Sequence, residues 1–220
     1  MTFIEQGIAH MKKDELEEAA TAFNQAIETE PNNPAGYINF GNLLVHMKDY
    51  QRAERFFMRA LVKDSNAATA YYGLGNLYFE SEQYKRAIEH YQQARTLGLD
   101  EADVHFMIGL SHLNRHDSTR ALPFMMRAKE LAPTDQDILM QYGILLAETG
   151  EYKEALQQFQ AVLNTDHFHS DARYNLALAY LYLEETDQAI KELDQTIAID
   201  PEHVLAKQTK AQINQILDQN

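Results

Sequence analysis

The sequence predicts an all-α fold, a right-handed α-solenoid of six helix–turn–helix repeats closed by one C-terminal helix. Two ladders of small residues carry that reading. Ala19, Ala53, Ala87, Ala121, Ala155 and Ala189 recur at a constant spacing of 34 residues. Gly7, Gly41, Gly75, Gly109 and Gly143 keep the same interval, with Ala177 on the sixth rung. A fixed period of this size marks a stacked array in which each unit buries its apolar face on its neighbours. Composition agrees: of 220 residues, 45% are hydrophobic, 24% are charged and only five are proline, a helical profile and not a disordered one.

Within a repeat the apolar spacing is helical twice over. Tyr71, Leu74 and Tyr78 are followed, after the polar break Ser81-Glu82-Gln83, by Tyr84, Ile88 and Tyr91. Each repeat therefore reads as two antiparallel helices of about a dozen residues joined by a short turn. The small residues let the two backbones approach, so Gly75 is expected to face Ala87 while Leu74, Tyr78, Tyr91 and Ala94 fill the space around them. Pro31, Pro133 and Pro201 follow helix ends, where proline stops a helix at little cost. The repeats span 1–33, 34–67, 68–101, 102–135, 136–169 and 170–203, and 204–220 forms the capping helix. Its inward residues are expected to be Leu205, Thr209, Ile213 and Ile216, with Lys207 and Lys210 outside.

Two rows depart from the pattern. The fourth places His105 and His112 at aromatic positions and Pro123 inside its second helix. Either that helix starts late, near Thr119, which puts Pro123 in its first turns, or it kinks, and a local change of superhelical pitch is expected there. The sixth carries Arg173 and Thr196 at positions that are apolar or small elsewhere.

Composition also excludes functions. A formal net charge of −14 repels phosphate backbones, so nucleic acid is not an expected partner. With no cysteine there is no disulfide, thiolate chemistry or cysteine-ligated metal. No apolar run is long enough to span a membrane, and Met1-Thr-Phe-Ile-Glu-Gln lacks the basic and apolar regions of a signal peptide. A cytoplasmic location is expected. Gly73-Leu74-Gly75 lacks the third glycine of a phosphate loop and sits inside a helix. His112 and His116, four apart, and His167 and His169 have no evident third ligand, so no metal site is expected. No nucleophile–base set emerges from the spacing either, so neither a cofactor nor enzymatic activity is expected.

The repeat signature is specific. The second row supplies Tyr37, Phe40-Gly41, Leu44, Ala53, Phe57 and Ala60, and the first supplies Phe3, Gly7, Ala19, Phe23, Ala26 and Pro31. On these residues the chain resembles the tetratricopeptide repeat (TPR) family, over six repeats that end near His203. The resemblance implies a non-catalytic scaffold or adaptor whose first helices line a groove for a peptide segment of another protein. The implied groove residues are Asn39 and Asn42; Tyr72, Asn76 and Phe79; Phe106, Leu110 and Leu113; Gln141; and Tyr174, Asn175 and Tyr182. Asparagine amides can bond a peptide backbone without regard to its side chains, and the aromatics add burial. Family members that capture a C-terminal carboxylate place cations on these helices. Ile4, Ile8, Ile38, Tyr72 and Gly73 stand at the matching positions here, so a neutral, apolar or basic segment is favoured.

One feature lies outside that groove. Lys48, Arg52, Arg55, Arg59 and Lys63 are spaced to share one face of the second helix of row two. The stripe reads either as an ordinary solvated face or as a docking patch for an acidic partner, including another copy of the chain. A self-assembling structural protein and a regulatory subunit of a separately encoded enzyme are the alternatives to a plain adaptor.

Overall fold

The computed structural model describes residues 1–218, and all regular structure among them is α-helical. Two compact units divide the chain at Asp117/Ser118. The first holds α1 (Phe3–Met11), α2 (Leu16–Thr29), α3 (Pro34–His46), α4 (Tyr50–Lys63), α5 (Ala68–Glu80), α6 (Tyr84–Thr96) and α7 (Ala102–Leu113). The second holds α8 (Ser118–Leu131), α9 (Gln136–Glu148), α10 (Tyr152–Thr165), α11 (Ser170–Tyr182), α12 (Thr186–Ile199) and α13 (Val204–Leu217).

The alanine ladder is fully buried throughout. The glycine ladder has a different partner from the one its spacing suggests. A methyl on Gly75 would stand 2.4 Å from the ring of Tyr91, and one on Gly143 would stand 2.7 Å from Phe159. Gly7, Gly41, Gly75 and Gly143 thus make room for the aromatic residue sixteen positions later (Met125 stands at that offset from Gly109), and the atoms nearest a methyl on Gly75 belong to Tyr91, not Ala87. Close packing leaves no slack for the extra carbon. On the sixth rung the residue at that offset is Leu193, which has no ring, and Ala177 is accommodated in the same buried cluster. Phe57 is held from two sides, under Gly41 of its own repeat and Gly73 of the next.

The turns inside the repeats share one device. Asp14, Lys48, Glu82, His116 and Glu184 adopt φ between 57° and 61°, and Gly150 adopts 88°. These six residues are again 34 apart. The amide after each returns to the carbonyl five residues earlier, as in Glu15 N–H to His10 O (3.0 Å), Gln83 to Tyr78 (2.7 Å) and Glu185 to Tyr180 (2.9 Å). This is the Schellman closure, which satisfies carbonyls that the helix end leaves open. At the starts of the second unit's helices, Asp135 caps α9, and the Nδ1 atoms of His169 and His203 accept from Ala172 and Ala206 N–H at 3.2 Å. An imidazole nitrogen can accept only when unprotonated, so both caps require that nitrogen free of hydrogen.

The irregular rows resolve locally. The helix of Pro123 begins at Ser118, next to the expected start at Thr119, and runs unbroken to Leu131, so Pro123 falls in its first turns. Proline there removes only the bond to the Thr119 carbonyl. His105 and His112 are buried where other rows bury aromatics, His105 with Asp100 Oδ1 2.6 Å from its Nε2. Arg173 lies between α11 and α12. Its Nη1 donates to Glu192 Oε2 at 2.6 Å and to the Gln195 side chain, and its Nη2 donates to the His167 carbonyl at 3.0 Å.

In the second unit, Leu139, Leu146, Phe159, Val162 and Leu176 form one core cluster, and Ala177, Leu193, Ala206 and Ile213 form another. The last cluster corrects the expected face of α13. Leu205 and Ile216 are 55% and 60% exposed, and the helix packs through Ala206 and Ile213. One residue of offset turns a helix by about 100°, and Ala206 is the smaller residue and allows the closer approach.

Candidate functional site

In the first unit, α3, α5 and α7 present residues to a common groove of about 640 Å³. Asn42, Val45, His46, Lys48, Tyr72, Asn76, Glu80 and Met107 line it. Its floor is braced from α6. The Tyr91 hydroxyl donates to Asn76 Oδ1 at 2.8 Å, and the Tyr72 ring is tilted against that of Tyr91 with centroids 5.5 Å apart. Burial, reinforced by the Asp103 carboxylate, pushes the Tyr72 hydroxyl up to about 12, although its hydrogen bond with Asn76 opposes the shift. Burial raises Tyr91 as well. Both phenols are therefore neutral near pH 7 and keep the hydroxyl proton, which Tyr91 donates to Asn76.

The asparagines differ in what they have left to offer. Asn76 has its carbonyl engaged by Tyr91. Asn39 and Asn175 spend an amide hydrogen on their own helices, on Ala35 and Asp171 carbonyls at 2.8 Å. Asn42 is half-buried, and no side-chain hydrogen bond engages it among the described residues. Phe79 is half-buried with its ring edge-on to Tyr84, 5.5 Å between centroids. Phe106, Leu110 and Leu113 are half-buried on α7, but that helix contributes Met107 to the groove lining. Gln141, Tyr174, Asn175 and Tyr182 belong to the second unit. There Gln141 is half-buried, Tyr174 tilts onto His203, and the exposed Tyr182 stacks flat on Tyr152 at 4.6 Å.

Of the residues the sequence singles out, the groove brings together Asn42, Tyr72 and Asn76. It adds Val45, His46, Lys48, Glu80 and Met107. His46 and Glu80 stand four residues after Asn42 and Asn76, on the same helix face, a spacing from which they could have been read. Lys48 could not, because it lies in the left-handed turn before α4. This also corrects the outer stripe. Lys48 leaves it for the groove edge, and Arg52, Arg55, Arg59 and Lys63 remain as exposed residues of α4. Among the described residues no group of three His, Asp or Glu could hold a metal ion, and no helix is long and apolar enough to cross a membrane.

Paired helices repeating every 34 residues, with ladder glycines under aromatic rings, define an array of helical-hairpin repeats. Models of the tetratricopeptide repeat match residues 3–33, 34–100, 72–136 and 140–204, and the chain belongs to the tetratricopeptide repeat family. It is similar to the crystal structure of YrrB, described as a TPR protein with an unusual peptide-binding site. That match has 41% identity and a TM-score of 0.78, and covers 87% of this chain and 99% of YrrB. PilF of Pseudomonas aeruginosa shares the fold at 18% identity, with a TM-score of 0.83 over 96% of both chains. MamA does so at 20% identity and 0.70, over 77% of this chain and 92% of its own. No match was found among curated proteins.

Proposed function

We propose that the chain is a non-catalytic adaptor that holds an extended segment of a partner protein along α3, α5 and α7. The observation that carries this reading is Asn42, an uncommitted amide half-buried in a groove where its neighbours Tyr72 and Asn76 are braced by Tyr91. It can give a donor and an acceptor to a peptide backbone at once. Tyr72, held neutral, adds a donor, and Val45 and Met107 offer apolar contact to a side chain between them. Lys48 and Glu80 put one charge of each sign on the lining, which suits a segment of low net charge. The peptide-binding site of YrrB supports the same class of ligand. A cytoplasmic setting suits a chain without cysteine.

The test is a peptide selected from a displayed library on the immobilised protein, with affinity then measured by calorimetry. Asn42→Ala is expected to weaken binding about tenfold or more at unchanged thermal stability, the loss of one or two well-placed hydrogen bonds. Equal affinity for both proteins would refute the reading. Asn76→Ala is the poorer probe, since it also strips the buried Tyr91 hydroxyl of its acceptor.

A further inference from the structure

The outer face of α4 has a chemistry that the groove does not use. Arg55 and Arg59, and Met58 and Val62, are pairs four residues apart on one face of the helix, and all four are exposed, Met58 by 53% and Val62 by 82%. They form an apolar ridge with a cationic flank, which Lys63 extends. The cations stand in an acidic chain, yet the acids nearby leave two of them alone. Arg52 reaches Asp49 at 3.4 Å. The only acid of α4, Glu54, is engaged by Tyr78 and Arg86 of the next repeat. Among the described residues neither Arg55 nor Arg59 has an ion-pair partner. The Arg59 guanidinium is stacked over Tyr37 and Phe56, 4.7 Å and 5.4 Å from the ring centroids. Stacking holds the plane in place and leaves its N–H edge free for a carboxylate, the geometry in which arginine binds bidentately.

We propose that this face is a second docking surface and that its occupant is an acidic amphipathic helix of a partner protein. Carboxylates one turn apart on that helix meet Arg55 and Arg59, and its apolar side chains cover Met58 and Val62. Spacing of three and four residues is what one helix presents to another. A second copy of this chain fits less well. The outer face of α2, one repeat earlier, is acidic with Glu17 and Glu28, but Thr21 and Asn24 stand between them, with no apolar group to seat the ridge. On α12, Asp194 is already held by Lys210. An anionic membrane is disfavoured by the net charge of −14.

The probe is a synthetic helical peptide carrying glutamates one turn apart beside leucines, with a lysine-for-glutamate control, titrated into ¹⁵N-labelled protein. The glutamate peptide is expected to bind and to shift α4 amides, and to weaken as salt is raised. Val62→Asp and Arg55→Glu, both at exposed positions that preserve the fold, should each weaken it about tenfold. The proposal is overturned if wild-type protein ignores the glutamate peptide, if both variants bind it unchanged, or if shifts appear at Asn42 and Tyr72 in place of α4. Binding to phosphatidylserine vesicles, or a light-scattering mass that grows with concentration, would overturn it too if Val62→Asp abolished either.

Discussion

Tyr91 connects the packing of the repeat to the groove in a single side chain. Its ring fills the space a methyl on Gly75 would need, and its hydroxyl fixes the Asn76 amide in the groove. Gly75→Ala should therefore cost about 1–3 kcal/mol in urea denaturation, the range for forcing an extra carbon into a close-packed core. An unchanged midpoint would mean that the ring moves aside freely. His90, on the same helix, stacks on Tyr78 at 5.0 Å and Tyr71 at 6.2 Å. Burial first, then Arg86, holds its pKa below the ordinary 6.5. The folded state thus resists a proton that the unfolded chain accepts, so stability is lost as pH falls below about 6.5. His90→Gln should flatten the dependence of stability on pH between about 7 and 5. An identical slope in the variant would assign the acid sensitivity to other groups.

At the scale of the elements, the helix pairs were legible from two ladders and an apolar period, because small residues and rings report directly on close approach. The left-handed turns were not. Asp14, Lys48, Glu82, His116, Gly150 and Glu184 keep the 34-residue interval, yet only one is a glycine. The conformation is imposed by the helix before and the helix after, so the residue type carries no mark of it. Glycine relieves the steric cost of this region, about 1 kcal/mol per residue. Glu184→Gly is accordingly expected to raise the thermal midpoint, and Gly150→Ala to lower it. Movement of both in the same direction would contradict the account. The face of α13 escaped for a related reason. Leu205 and Ile216 look more apolar than Ala206, but the smaller side chain allows the tighter contact. Arg173 stood out as a departure, while its partner Glu192 on the next helix belongs to no motif that spacing could reveal.

For the molecule as a whole, family membership and architecture follow from the repeat, and the binding site follows only in part. The groove that the first helices line was legible in Asn42, Tyr72 and Asn76. What each side chain has left to offer was not, because the commitments of Asn39, Asn76 and Asn175 are tertiary or helical hydrogen bonds. The most direct test is to titrate a library-selected peptide into ¹⁵N-labelled protein and map the perturbed residues. Side-chain shifts are expected at Asn42 and Asn76 and backbone shifts at Val45, Tyr72 and Met107, all reduced in Asn42→Ala at equal peptide concentration. Shifts that bypass these residues and persist in Asn42→Ala would contradict the proposed function.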